Sequence, residues 1–217
     1  GLRLPQLKVL SSVMRTAPVD AGIEPTMGFS DFTLRKRMDG GYTVASSATS
    51  LVDIVPDSFR FFRDFLPAFM MERKSLKLSF VKPFFDELIG YRHRPFDQAS
   101  IFEKIRVLDP TPDANLLTSV EAAMRTSVPA LRDVPIAQRW AGMIDTMPDV
   151  IPVISEVEAL PGLIVGTGFS GHGFGIGPGA GRLLSDLATG DTPCVDPTPF
   201  RFSRFSDGSR PEIQYWL

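Results

Sequence analysis

Between Leu163 and Gly179 the chain reads Leu-Ile-Val-Gly-Thr-Gly-Phe-Ser-Gly-His-Gly-Phe-Gly-Ile-Gly-Pro-Gly, a short apolar run opening into closely spaced glycines. No other segment restricts the fold as strongly. The apolar run predicts a strand over Leu163 to Gly166. A helix is expected to begin near Pro178, because proline suits a first helical turn. It should continue through Arg182, Leu183, Leu184 and Leu187 and end at Gly190. Glycine lets a backbone approach a ligand closely, and a helix start aims its N–H groups at negative charge. A strand, a glycine loop and a helix in that order therefore predict a ligand-facing turn.

Gly166, Gly168 and Gly171 fit the letters of the dinucleotide fingerprint, with Asp186 at the offset of a ribose contact. The match is rejected on context. The fingerprint needs a helix opening at its third glycine and a second parallel strand ending in the acid. Here further glycines follow Gly171, Asp186 falls inside the expected helix, and too little chain remains for a nucleotide-binding domain. No Gly-Lys-Ser/Thr sequence supports a phosphate-binding P-loop. A flat, electron-poor ring that gains charge at one edge requires the same devices as a phosphate, namely backbone donors and a helix dipole. A flavin is such a ring.

The same segment is the longest uncharged stretch, Ala159 to Gly181, but nine of its residues are glycine and two prolines interrupt it. A spanning helix must be predominantly apolar, so no transmembrane segment is predicted, and no secretory signal is visible. Lys+Arg total 23 against 25 Asp+Glu, a balance that offers no electrostatic case for nucleic acid as a partner. The lone Cys194 cannot form an internal disulfide, which makes a reducing, cytoplasmic location the expectation. His93, His172 and Cys194 assemble no metal-ligand set, and no nucleophile elbow with its partners is present. The chain begins with Gly1 rather than Met, so an earlier N-terminal part is expected.

Elsewhere the pattern predicts a strand over Gln6 to Thr16 and a hairpin in which Asp31–Arg37 and Tyr42–Ser46 flank Met38-Asp39-Gly40-Gly41. Pro56 opens a helix on which Phe59, Phe62, Phe65, Leu66 and Phe69 recur at near-helical spacing. This stripe is read as core-facing, in preference to the wall of a substrate pocket. Strands are expected over Ile101–Leu108, Ile136–Ile144 and Val150–Ile154, and a helix over Asp113–Thr126 with Leu116, Leu117, Val120, Ala123 and Met124 on one stripe. Tyr91-Arg92-His93-Arg94-Pro95 forms a basic and aromatic loop cluster.

Pro161 to Val165 followed by Gly168-Phe-Ser-Gly-His-Gly-Phe174, with Arg139-Trp-Ala-Gly-Met-Ile-Asp145 and Met147-Pro-Asp149 upstream, resembles the C-terminal part of the D-amino-acid oxidase superfamily. That superfamily includes glycine and sarcosine oxidases and D-amino-acid dehydrogenases. The resemblance is strongest from about Gln138 to Gly190. It implies FAD as cofactor and a flavin-contacting set of Gly142, Gly171, His172, Gly173, Phe174, Gly175 and Ile176. His172 is left between a flavin- or substrate-side role and a structural hydrogen bond. Two cations of the superfamily are replaced here by Ile144 and Gly175, and a flavin-attaching cysteine near Gly142 is absent. A carboxylate anchor must then come from elsewhere, and Tyr91, Arg92, Arg94 and Arg139 are the candidate substrate residues. Solvated loop residues, or an ion-pair partner in the case of Arg139, are their alternatives.

The expected fold is α+β: a mixed, largely antiparallel sheet with flanking helices, forming a substrate-binding domain over residues 1–135. Residues 136–217 would return to the FAD domain with its last strand and helix, and the N-terminal dinucleotide fold would lie outside the chain. The implied activity is oxidation of an amine or amino acid by hydride transfer to flavin, with no catalytic residue assigned. This stretch alone would be inactive and would not retain FAD. The alternative is a non-catalytic interaction module, or one subunit of a heteromeric oxidase.

Overall fold

The computed structural model describes residues 2–47, 50–72, 76–79 and 97–209. The chain divides into two compact units that are not consecutive blocks. One comprises Gly1–Lys8, Pro56–Lys74 and Ile144–Leu217, the other Val9–Val55 and Ser75–Met143. The division expected at residue 135 falls inside the second of these, and the last crossing comes at Met143.

The second unit is built on a mixed sheet, as the sequence predicts. Its strands are β1 (Leu7–Thr16), β2 (Met27–Gly28), β3 (Phe32–Lys36), β4 (Tyr42–Ser46), β5 (Ser50–Asp53), β6 (Leu76–Ser79) and β7 (Ile136–Thr146). The order is β2-β3-β4-β1-β5-β6, with β7 also pairing β1. The β3–β4 hairpin sets Leu34 opposite Val44 and Lys36 opposite Tyr42. It turns at Gly40, whose φ is +83°, while Asp39 accepts a hydrogen bond from the Gly41 amide. Along β1 every second residue is buried, from Leu10 through Ser12 and Met14 to Thr16. This is the period of a strand with one face on a core. The two buried hydroxyls are used: Ser12 accepts from the Asp113 amide and Thr16 from the Tyr42 amide, both at 2.9 Å.

A helix, Ala114–Ser127, packs on this face. Its start is fixed by Asp113, whose carboxylate accepts from the Asn115 and Leu116 amides, an N-cap worth about 1 kcal/mol. Leu116, Leu117, Val120 and Met124 are buried against Met14, Phe32, Leu34, Tyr42 and Val44. Burial of each such side chain contributes roughly 1.5–3 kcal/mol.

Three sequence expectations are corrected in this fold. Residues Ile101–Lys104 form a short helix rather than the start of a strand. The reason is a capping box: Ser100 Oγ accepts from the Glu103 amide, and Glu103 accepts from the Ser100 amide at 2.6 Å. The phenylalanine stripe does not face a core either. The chain forms two helices, Pro56–Arg60 and Phe62–Glu72, broken at Phe61. At the break Phe61 is buried, while of the predicted stripe Phe59, Phe62, Leu66 and Phe69 are exposed and Phe65 is half-buried. The guanidiniums of Arg3 and Arg60 lie 5.7 and 5.0 Å from the Phe61 ring centre, within cation–π range.

Numbered in chain order, the α-helices of the described residues are α1 (Pro56–Arg60), α2 (Phe62–Glu72), α3 (Ile101–Lys104), α4 (Ala114–Ser127) and α5 (Gly173–Thr189). The first unit also holds a two-stranded antiparallel ribbon, β8 (Val153–Glu156) with β9 (Ile164–Thr167). The strand expected over Val150–Ile154 starts later because Val150 has a φ of +64°, which no strand residue adopts. Among the described residues, no helix is long and apolar enough to cross a membrane.

Candidate functional site

Strand β9 delivers the chain to the glycine-rich loop, and α5 leaves it. Helix α5 begins at Gly173 rather than near Pro178. Helix-poor glycines conceal this start in the sequence, and Pro178 is accommodated in the second turn. The loop changes direction through three positive φ angles: +75° at Gly168, +50° at Ser170 and +86° at Gly171. Ser170 is not a glycine, and a left-handed residue of this kind stores on the order of 1–3 kcal/mol.

Hydrogen bonds from the end of β7 hold that geometry. Asp145 accepts from the Gly168 amide through its carboxylate at 2.8 Å and from the Ser170 amide through its carbonyl at 2.9 Å. Gln6 bridges the Asp145 carboxylate at 3.2 Å and the Thr167 hydroxyl at 3.1 Å. The Met147 amide donates to Ser170 Oγ at 3.1 Å. Gly168 is obligatory on two counts: its φ, and a Cβ there would collide with the Met147 side chain. Gly166 permits close approach of strand and helix, since a Cβ would come within 2.7 Å of Leu184 Cδ1. Below the loop, Ile154, Ala180 and Leu183 form a small core with Phe169, Leu184, Leu187 and Phe200 packed on it.

The first turn of α5 is unusually bare. Its N-cap, His172, makes no capping side-chain hydrogen bond, and no acidic residue lies in the turn. The N–H groups that every helix start leaves over are therefore not neutralised by a carboxylate of the helix. Phe174 is fully exposed and Ile176 is 42% exposed. A Cβ added at Gly175, Gly177, Gly179 or Gly181 would meet nothing within 4 Å. Each glycine in a helix interior costs about 1 kcal/mol relative to alanine, and nothing within the described residues requires these four. A planar group lying against the helix, with its charge-gaining edge at the N-terminus, would supply such a requirement. The residues present fit a flavin ring.

The other predicted residues fall as follows. Gly142 lies exposed on β7, with open space where a Cβ would stand. Gly171 sits beside Ile144, whose side-chain carbons would lie 3.7 Å from a Cβ on the glycine. The position that carries a cation in some members of the superfamily thus touches the loop, and here it is apolar. Arg139 is ion-paired with Glu121 of α4, which Arg125 also engages at 2.8 Å. Burial pushes the Glu121 carboxyl up, and the two arginines outweigh it to hold it below the ordinary range. Tyr91, Arg92 and Arg94 lie outside the described residues. Among the described residues, no three His, Cys, Asp or Glu side chains are grouped to hold a metal ion. Asp186 accepts from Arg182 at 2.7 Å and from the Cys194 amide at 2.9 Å, so it serves the helix and not a ribose.

Sequence reasoning missed a buried pair behind the loop. Arg204 and Asp149 are 3% and 1% exposed. They meet through two hydrogen bonds, Nε to Oδ2 at 2.8 Å and Nη2 to Oδ1 at 3.2 Å. Asp149 stands in the Met-Pro-Asp motif that helps carry the family resemblance; the distant arginine carried no signal of its own.

A family model described as FAD dependent oxidoreductase matches residues 1–187. Glycine oxidase of Pseudomonas aeruginosa is 35% identical over 92 residues, covering 42% of this chain and 25% of that enzyme. N-methyl-L-tryptophan oxidase of Salmonella typhimurium is 45% identical over 62 residues, covering 29% of this chain and 17% of the relative. Among solved structures, L-amino acid deaminase from Proteus myxofaciens in complex with anthranilate superposes with a TM-score of 0.88 at 29% identity. That superposition covers 95% of this chain and 46% of the deaminase. The chain therefore spans just under half the length of that structure, and its aligned segments cover a quarter or less of the two oxidases. With 187 of 217 residues matched and a loop and helix shaped for a flat cofactor, the chain belongs to the FAD dependent oxidoreductase family.

Proposed function

We propose that these residues form the substrate side and the closing flavin-facing element of an enzyme that oxidises an amine or amino acid. The carrying observation is the bare start of α5: four helical glycines with open space above them and a first turn free of acidic residues. Bound there, FAD would accept a hydride from the substrate carbon that bears the nitrogen. Gly171, Gly173 and Gly175 let the ring approach the backbone, and the α5 N-terminus favours negative charge at the ring edge. Gly142, His172, Phe174 and Ile176 complete the proposed contact set. The dinucleotide-binding fold comes, on this reading, from polypeptide outside the 217 residues. The coverage of the deaminase structure supports it.

On the substrate side, Ile144 gives an apolar neighbour to the loop and no carboxylate anchor. That task is assigned to Arg92 and Arg94 with Tyr91, through charge-assisted hydrogen bonds. Arg139, already held by Glu121, is the weaker candidate. The deciding measurement is the visible spectrum of the full-length protein, repeated anaerobically with glycine, sarcosine, N-methyl amino acids and L- and D-amino acids. A flavin band that bleaches with one class supports the proposal and names the substrate. A full-length protein that takes up no FAD on reconstitution overturns it and favours a binding module.

A further inference from the structure

We propose that Arg204 is a positioning residue for the flavin-facing loop: it clamps the strained turn at Val150, and Met147 of that turn fixes Gly168 to Gly171. The inference deepens the flavin reading above and rests on it.

Among the described residues only Val150 and Ser170 have positive φ without being glycine, at +64° and +50°. For a β-branched residue this is a true outlier, because its Cβ substituents crowd the backbone there. Such a conformation persists only where its surroundings over-determine it. Arg204 does so from both sides. Its Nε and Nη2 hold the Asp149 carboxylate, and Nη2 also donates to the Ile151 carbonyl at 2.6 Å. Nη1 donates to the Arg201 carbonyl at 3.0 Å, and the guanidinium lies 4.3 Å from the Phe205 ring centre. The fork therefore grips the residues immediately before and after Val150. The Val150 amide in turn donates to the Met147 carbonyl.

Met147 is where the two strained residues meet. Its amide donates to Ser170 Oγ, and its side chain occupies the space beside Gly168. The path from Arg204 to the loop is thus Asp149, its neighbour Val150, Met147 and then Gly168 and Ser170, joined by hydrogen bonds, a peptide bond and a packed contact. A buried ion pair is a poor means of adding stability, since apolar replacements of similar volume are often as stable. A planar fork that fixes two backbone positions is something only arginine supplies.

The test uses the full-length protein carrying Arg204→Lys, Val150→Gly, or both. Lysine keeps the charge and loses the fork, whereas glycine accepts the turn without strain. Arg204→Lys is expected to weaken FAD binding to the apo-protein about tenfold, within the range of couplings between linked sites. In the apo-protein it should speed hydrogen exchange of the Gly168–Gly173 amides by a similar factor. Exchange in Leu116–Met124 should stay within twofold. Adding Val150→Gly should restore most of both losses. Wild-type FAD affinity and exchange in Arg204→Lys would overturn the proposal, as would a uniform rise that includes α4. If Arg204→Lys does not fold, recovery of a folded, FAD-binding protein by Val150→Gly upholds the clamp. Failure of both variants to fold overturns it. A wild-type protein that binds no FAD sinks the flavin reading instead, and the exchange comparison still decides the clamp.

Discussion

The side chain of Met147 fills the space that a β-carbon on Gly168 would occupy, so the end of β7 and the start of the glycine-rich loop fit only when position 168 is bare. Gly168→Ala adds this clash to a φ of +75° and is expected to lower stability by about 2–4 kcal/mol. Met147→Ala, combined with it, should relieve the packing part alone. Urea denaturation of both single variants and the double variant checks this. A double variant that equals the sum of the singles, within about 0.5 kcal/mol, would show that the two positions do not compete for space.

Gly175 has open space around it and sits within a helix. Gly175→Ala should therefore raise stability by about 0.5–1 kcal/mol through helix propensity, while weakening FAD binding by about tenfold or more, equivalent to ~1.4 kcal/mol. Opposite signs in the melting temperature and the flavin titration are the signature of a glycine kept for its ligand. A stabilised variant with unchanged FAD affinity removes Gly175 from the contact set.

The Asp186 carboxyl is held below its ordinary value of 3.8 by the Arg182 hydrogen bond first and the Cys194 amide second, with burial opposing both. A group depressed in the folded state contributes stability that is complete above its unfolded pKa and is lost as pH falls through the folded one. Asp186→Asn should thus be clearly less stable than wild type near neutral pH. The gap should close progressively below about pH 4. Denaturation midpoints at pH 6 and pH 3 measure it, and a gap that is constant with pH would detach Asp186 from the titration.

Much of the architecture was legible because its signals are local. Asp39-Gly40 marks the β3–β4 turn, Asp113 caps α4, and the buried stripe of Leu116, Leu117, Val120 and Met124 follows the helical period. The errors arose where a local signal competed with a tertiary one. Ile101 and Phe102 suggested a strand, and the Ser100–Glu103 capping box overrode them. Glycine's low helix propensity placed the α5 start at Pro178, five residues late. In the site, the loop was readable from the order of an apolar run, spaced glycines and a following helix. The Asp149–Arg204 pair was not, since its partners lie 55 residues apart and no periodicity joins them.

The break at Phe61 reverses which aromatic residues carry stability. Phe61→Ala should destabilise by about 3–5 kcal/mol, as for a buried phenylalanine, whereas Phe62→Ser, at a residue 54% exposed, should change it by less than about 0.5 kcal/mol. Thermal unfolding of the two variants distinguishes them. Equal losses would mean that α1 and α2 act as a single continuous helix with its stripe inward.

The two compact units are threaded by a chain that passes between them four times, after Lys8, Val55, Lys74 and Met143. No single cut releases either one, so neither unit can be exchanged by the usual one-junction fusion. A chimera that replaces either unit with that of a relative needs four seams. Two of them fall within β1 and β7, where a splice must preserve strand register or turn every following side chain to the wrong face.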